Sequence, residues 1–243
     1  MINILSSDAV SKSEEFREVP REGKENNQAW LSRNLPSNGE QGVLVMLGGK
    51  SPTDFRLRTA QAHVRSDLSP SKWSHAMLLK NPAEREASKV YEISLEPEEG
   101  FGFPTPDNAV QEGDLSRYKD VRKYPNIAWL QIPVTQTDIE HALGRFKMQR
   151  AVLDGVDLTV RWLAYVWGVG RSGNPLLEGY GIPSAAMLEI VVGAAGFDLT
   201  PGLESRSSCP EAISQAAKYW HDYYKDQNKT PLTGCFHAPH EIK

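Results

Sequence analysis

The order of the apolar segments predicts an α+β fold built on one antiparallel sheet. A short apolar run bounded by glycines at 41–49 is typical of a buried strand. Later runs around the polar turn Asn81-Pro82 are close enough to form a hairpin. Residues from Pro52 to about Asp67 predict a surface helix, and from Thr137 onward the apolar residues recur at helical spacing. The predicted order is therefore a strand, a helix, three strands and then helices. The strands are predicted at 41–49, 72–80, 88–95 and 126–132.

The composition is that of a globular protein and argues against several functional classes. The chain has 243 residues, of which 40% are hydrophobic and 24% charged. A net charge of -4 leaves no excess of cations for phosphates, which argues against nucleic-acid binding. No apolar run approaches the roughly 20 residues of a transmembrane helix. The N-terminus lacks a basic region followed by an apolar core, so we expect cytoplasmic synthesis, with any export by a signal-independent route.

Polarity divides the chain into three parts. Residues 1–40 are polar with little periodicity and predict a mobile arm, whereas 41–227 would form the domain proper. Residues 228–243 predict a polar, loosely held tail. Inside the domain, 96–124 is rich in proline, glycine and acidic residues, and a segment of this length is typical of a lid or a substrate wall.

The stretch from Gly181 to Gly196 predicts a central, buried helix. Pro183 suits a first helical turn, and Gly196 suits the position after a helix end. Apolar residues cover most of the helix circumference. Ser184 at the start has two interpretations: it is an N-cap, or it is a nucleophile presented where the helix dipole favours an anion.

Two residues upstream would complete a nucleophile site. His75 lies near the start of the second predicted strand, and Glu92 lies on the strand predicted to pair with it. An antiparallel pair can place these two side chains on one face, where a carboxylate orients an imidazole and stabilises its cation. The other histidines show no metal-ligand spacing, and Cys209 and Cys235 form no metal motif, so we expect no metal and no cofactor. Cys209 also precedes a predicted helix, but we interpret it as a structural thiol.

The order of these parts resembles the circularly permuted branch of the papain-like fold, which includes NlpC-type cell-wall peptidases and the lecithin–retinol acyltransferase group. The resemblance spans about Gly42 to Lys225 and implies an antiparallel sheet packed on a central helix that bears the nucleophile. Four motifs carry it: Trp73-Ser74-His75-Ala76-Met77-Leu78-Leu79, Val90-Tyr91-Glu92-Ile93, Ser184-Ala185-Ala186-Met187-Leu188 and Ala194-Ala195-Gly196-Phe197-Asp198-Leu199-Thr200-Pro201-Gly202.

The resemblance implies roles for individual residues. His75 would be the general base, Glu92 would orient it, and Ser184 would stand at the nucleophile position, with its backbone amide as an oxyanion donor. The substrate-binding candidates are Trp73, Tyr180 and Gly181.

The nucleophile of that family is cysteine, and this chain has Ser184 instead. A hydroxyl is a much poorer nucleophile than a thiolate. Three explanations stay open: a Cys→Ser change that disarms the enzyme, a serine that performs the same acyl chemistry, or an inactive member that only binds.

The resemblance implies a cysteine-hydrolase-type enzyme that forms an acyl-enzyme. A peptidoglycan peptidase or amidase is the leading expectation, acting as a secreted antibacterial effector with an immunity protein or a secretion system as partner. The alternatives are an acyltransferase or protease acting on lipid or protein substrates, and a catalytically inactive binding module of the same fold.

Overall fold

The computed structural model describes residues 16–37, 39–96, 103–227 and 232–242. These residues form an α+β fold around one mixed seven-stranded sheet, with strand order β1-β7-β6-β2-β3-β4-β5. All described neighbours in the sheet are antiparallel except β1 and β7, which are parallel. The strands are β1 (Arg17–Glu18), β2 (Gln41–Gly48), β3 (His75–Lys80), β4 (Lys89–Glu92), β5 (Gln111–Asp114), β6 (Asn126–Thr135) and β7 (Gly234–His237).

Helices supply the second layer of the fold. The α-helices are α1 (Asn27–Asn34), α2 (Pro52–Ala60), α3 (Gln136–Met148), α4 (Gly155–Val166), α5 (Pro183–Ala194) and α6 (Pro210–Asp226). Within the described ranges, no helix combines the length and the apolarity that crossing a bilayer requires.

The sheet separates two hydrophobic cores, because successive side chains of a strand point to opposite faces. On β3, Ala76 and Leu78 belong to the core that contains α5, which we call the α5 core. Met77 and Leu79 belong to the core that contains Trp30 of α1, which we call the α1 core. The α1 core also receives Tyr118 and Tyr124 from the segment between β5 and β6, so both faces of the central strands are covered.

Helix α5 lies at the centre of its core, as its sequence predicts. Residues Ala185 to Leu188 are completely buried, and Pro183 is the first helical residue. The N-cap is Ile182, which makes no side-chain capping bond, so the N-cap interpretation of Ser184 is wrong. Gly196 has φ +104° and follows the helix end, where a left-handed residue favours glycine.

The N-terminal segment differs from the expected mobile arm. Trp30 and Leu31 of α1 are buried in the α1 core, and the indole of Trp30 donates to the carbonyl of Val19. The amide of Asn27 donates to the carbonyls of Tyr118 and Tyr124 at 2.8 and 2.9 Å. A few apolar side chains hold this polar segment against the sheet, and because they are so few they produce no periodic pattern in the sequence. Residues 1–15 of the expected arm lie outside the described residues.

The C-terminal segment also differs from the expected loose tail. Strand β7 pairs with β6 on one side and with β1 on the other, so backbone hydrogen bonds hold it whatever its side chains. The expected lid at 96–124 contains β5, which pairs with β4, although residues 97–102 lie outside the described residues. Helix α3 begins just before Thr137, where the helical spacing starts: its N-cap is Thr135, whose side chain accepts from the amide of Asp138.

Candidate functional site

The candidate site lies where β3 and β4 part. The two strands pair through Leu78 with Tyr91, and the same register would place Ala76 opposite Ile93. The hydroxyl of Ser184 occupies the space between them: it donates to the carbonyl of Ala76 and accepts from the amide of Ile93 at 3.4 Å. The side chain of Ser184 on α5 therefore takes the place of a backbone hydrogen bond between Ala76 and Ile93.

This position defines what Ser184 can do. Its side chain is 0% exposed, and both the donor and the acceptor function of the hydroxyl are used by backbone groups. In the described part of the chain, the hydrogen bonds of this hydroxyl go to Ala76 and Ile93 and none goes to His75. Its proton is directed at a peptide carbonyl rather than at an imidazole.

His75 and Glu92 form the pair that the sequence predicts. The Nε2 atom of His75 is hydrogen-bonded to Oε2 of Glu92, which is completely buried. The hydroxyl of Tyr118 donates to the same oxygen at 2.6 Å, and Nη1 of Arg117 lies 3.7 Å from Oε1. Three groups therefore fix one carboxylate behind the imidazole.

The electrostatics of this cluster favour a charged Glu92. Burial works to raise the pKa of this carboxyl group, but His75, Tyr118 and Arg117 together hold the pKa below its ordinary value. Burial and the neighbouring charge of Glu92 raise the pKa of Tyr118 well above its usual value. Tyr118 therefore stays protonated and remains a donor to the carboxylate.

The two parts of the predicted triad approach the sheet from opposite faces. His75 alternates with Met77 and Leu79 along β3 and pairs with Leu47 of β2, all of which belong to the α1 core. Its ring centroid lies 6.0 Å from that of Tyr118, another member of the α1 core. Ser184 reaches the sheet from α5, which packs in the other core, and its hydroxyl bonds to strand backbone at Ala76 and Ile93.

A narrow cleft opens beside His75. Only about 30 Å³ of it can hold water-sized molecules, roughly the volume of one water. Helix α5 contributes its cap residue Ile182 and its first residue Pro183 to the wall, and Ser184 is not part of it. The other lining residues are Thr53, Asp54, Leu57, His75, Ile93, Ser94, Leu95, Glu96, Arg117, Tyr118 and Tyr124.

The three predicted substrate-binding residues do not line this cleft. Trp73 is buried in the α5 core. Tyr180 packs its ring against the guanidinium of Arg161, with Cζ 4.5 Å from the ring centroid. Gly181 is needed for packing, because a Cβ there would lie 2.3 Å from the carbonyl oxygen of Ser208.

Sequence reasoning missed the residues that support the pair. Arg117 and Tyr118 lie in the segment expected to be a lid or wall, which does supply cleft residues, but no motif identifies them. Asp54 also lines the cleft and accepts from the hydroxyl of Ser74 at 2.6 Å. The run Ser51-Pro52-Thr53-Asp54 is a capping box that opens α2, and this signal was present in the sequence.

Neither cysteine belongs to the cleft. Cys209 and Cys235 are buried and unpaired, and burial raises the pKa of each thiol to about 12. Neither is therefore a thiolate at neutral pH. Among the residues that the structure describes, no group of three or more His, Cys, Asp or Glu side chains could hold a metal ion.

A larger groove of about 490 Å³ lies elsewhere, between α3 and the end of α5. It includes His141 and Arg145 but none of the residues that line the His75 cleft. The His75–Glu92–Tyr118 cluster and this wider groove are therefore different places on the molecule.

Comparisons of this chain with protein-family models, with curated proteins and with solved structures gave no match.

Proposed function

We propose that this chain is a ligand-binding module of the papain-like fold, which recognises a peptide acyl group at the His75 cleft without forming an acyl-enzyme. One observation carries this proposal. The hydroxyl of Ser184 is buried and bonded to two backbone groups, and the residue that α5 turns toward the cleft is Pro183, which has no nucleophilic atom.

The ligand class follows from the groups around the cleft. Arg117 offers a donor to a carbonyl or carboxylate oxygen of a ligand. Because Nε2 of His75 donates to the Glu92 carboxylate, Nδ1 of the neutral ring is an acceptor for a peptide N–H, and Leu57, Ile93 and Ile182 form an apolar wall. Helix α5 begins without a side-chain cap, so its dipole also favours a partial negative charge there. Cell-wall stem peptides are the first ligands to test, because the order of motifs resembles cell-wall peptidases.

A second candidate function is a hydrolase that forms an acyl-enzyme at position 184, as serine or with cysteine restored. The observation that favours it is the His75–Glu92–Tyr118 cluster, because an imidazole held by a buried carboxylate is the base half of a nucleophile triad. In this candidate the Ser184 side chain leaves Ala76 and attacks the carbonyl carbon of an amide, ester or thioester while His75 takes its proton. The bond to the amine, alcohol or thiol breaks as His75 returns the proton to that leaving group, and water then releases the acyl group from Ser184. Transfer to a lipid or protein acceptor would use the same steps.

The first experiment compares Pro183→Cys with Ser184→Cys. Because burial keeps the two native thiols protonated, a new accessible thiol dominates the reaction with iodoacetamide. Pro183 is buried but lines the cleft, whereas Ser184 does not. The binding-module proposal therefore predicts that Pro183→Cys reacts faster than Ser184→Cys, and that adding His75→Ala slows the reaction. Cys at 184 should stay unreactive and form no acyl adduct with a thioester.

The opposite outcome supports the hydrolase. If Cys at 184 accumulates an acyl adduct that depends on His75, while Cys at 183 is inert, the binding-module proposal is wrong.

The second experiment measures binding of stem peptides to the full chain by calorimetry, with mass spectrometry of the peptides afterwards. We expect the wild type and Ser184→Ala to bind equally and to leave the peptides intact. His75→Ala should bind about tenfold more weakly, the loss expected for about one hydrogen bond to a polar ligand. Cleavage by the wild type that disappears in Ser184→Ala would contradict the proposal.

A further inference from the structure

A buried arginine fastens the C-terminal end of the described chain to α2. The guanidinium of Arg58 is completely buried and donates from Nε to the carbonyl of Ser71 at 2.7 Å and from Nη1 to that of Gly49 at 3.2 Å. Its other contacts go to His240: Nη2 donates to the carbonyl oxygen at 2.9 Å, and Nη1 lies 2.9 Å from the ring Nδ1. One residue therefore satisfies two of the donors of this buried cation.

The contact requires a neutral histidine. Arginine has donors and no acceptor, so Nδ1 of His240 must accept, and the ring proton must sit on Nε2. Burial lowers the pKa of His240, and the positive charges of Arg58 and Lys50 lower it further.

The charged groups around His240 offer no compensation for a second proton. Arg58 faces it from α2, and Lys50 acts on it from the segment between β2 and α2. The adjacent carboxylate of Glu241 is already paired with Lys72 at 3.4 Å. On the β6 side, the neighbouring group is the neutral amide of Asn126, which bonds the His240 backbone at 2.8 and 2.9 Å.

We propose that His240 is an acid-sensitive latch, which holds residues 238–242 against α2 while its ring is neutral and releases them when the ring binds a proton. Protonation turns Nδ1 into a donor that faces another donor, and it places two cations in contact. Strand β7 stays paired with β6 through its own backbone, so only the end of the chain is released.

The direction of the pH dependence follows from linkage. A pKa that is lower in the folded chain than in the unfolded chain means that the unfolded chain binds more protons. The latch therefore contributes fully above the ordinary histidine pKa of about 6.5 and is lost as pH falls below it.

Release of residues 238–242 would affect the His75 cleft by changing the position of α2. Arg58 belongs to the same helix as Asp54 and Leu57, which line the cleft. Loss of His240 leaves two donors of a buried cation without acceptors, which destabilises the position of this helix. The latch stands whether the cleft binds or hydrolyses its ligand, because none of its contacts involves His75 or Ser184.

The test is amide hydrogen exchange of the full chain, corrected for the intrinsic effect of pH, from about pH 8 down to about pH 5. We expect opening of residues 238–242 to increase as pH falls, by up to about tenfold per pH unit for one proton. His240→Asn keeps an acceptor near the Nδ1 position and cannot be protonated, so its exchange should not depend on pH. The exposed His141→Asn is the matched control and should behave as the wild type.

A second variant keeps the test valid if His240→Asn fails to fold, because it leaves His240 in place. Lys50→Gln removes one opposing charge, so the pKa of His240 in the closed state should lie nearer its ordinary value. The total rise in exchange between pH 8 and pH 5 should therefore be smaller than in the wild type. The proposal is overturned if wild-type exchange is constant over this range, if His240→Asn keeps the wild-type pH dependence, or if Lys50→Gln shows the same total rise in exchange as the wild type.

Discussion

The two faces of the sheet treat their polar groups differently at the point where β3 and β4 part. On the α1 face, His75, Glu92 and Tyr118 form a cluster whose imidazole reaches a cleft. On the α5 face, Ser184 is closed off and bonds only to backbone groups among the described residues. The sequence predicts His75, Glu92 and Ser184 as one triad. In the structure His75 and Glu92 form the reactive cluster, whereas Ser184 has a structural role between two strands.

This difference teaches that residue types and their order do not specify a catalytic arrangement. A triad requires the nucleophile, the base and the orienting carboxylate to meet on one side of a cleft. Here His75 and Glu92 are hydrogen-bonded to each other, whereas the Ser184 hydroxyl bonds to backbone groups of the two strands where they separate.

The largest expected effect is a loss of stability on disrupting the α1 core. The difference between the two faces holds only if the side chains on the α1 face form a hydrophobic core that stabilises the fold. Trp30→Ala removes a completely buried indole and should lower the free energy of unfolding by about 3–5 kcal/mol. Urea denaturation measures this. Trp167→Ala, at an indole that is 68% exposed, is the matched control and should change stability by less than about 0.5 kcal/mol. If Trp30→Ala and Trp167→Ala lowered the free energy of unfolding equally, burial of α1 would not stabilise the fold.

The charge of Glu92 provides the second test. Because its pKa is held below the ordinary value, its contribution to stability is present above about pH 4.5 and is lost as pH falls through the folded-state pKa. Glu92→Gln should flatten this part of the stability profile, measured by thermal unfolding at a series of pH values. The exposed Glu140→Gln should keep the wild-type slope. An unchanged slope in Glu92→Gln would show that the cluster does not hold a buried charge.

Ser184→Ala should have the smallest effect on stability, about 1 kcal/mol. The carbonyl of Ala76 and the amide of Ile93 lose the hydroxyl, but the register of the strands allows them to pair directly. Hydrogen exchange should therefore show that the Ile93 amide remains protected. A loss above about 3 kcal/mol, or an unprotected amide, would mean that the strands cannot close and that Ser184 is not a ladder substitute.

Sequence patterns predict the elements of the site better than its geometry. The turn at Asn81-Pro82 and the runs on either side of it gave the hairpin, and with it the contact between His75 and Glu92. The all-round apolar pattern gave α5 and its central position. Whether Ser184 faces His75 could not be predicted, because it depends on strand register and on the direction of one side chain at the start of a helix.

The segments near the chain ends were misjudged for a related reason. The segment that contains α1 is polar apart from a few residues such as Trp30 and Leu31, and its attachment comes from contacts more than 90 residues away, between Asn27 and the carbonyls of Tyr118 and Tyr124. Such contacts leave no local period in the sequence. Arg117 and Tyr118 were missed in the same way, since they act through a carboxylate that is distant in the chain.

The parallel pairing of β1 with β7 has a consequence for synthesis of the chain. Arg17 lies opposite Cys235, so this edge of the sheet joins two residues of which one is translated long before the other. Strand β6 must therefore wait for β7 as an uncovered edge while the intervening helices are made, and an uncovered edge is a template for pairing with other chains. The completed edge should thus be among the last parts to become ordered, and a chain truncated before Gly234 should aggregate.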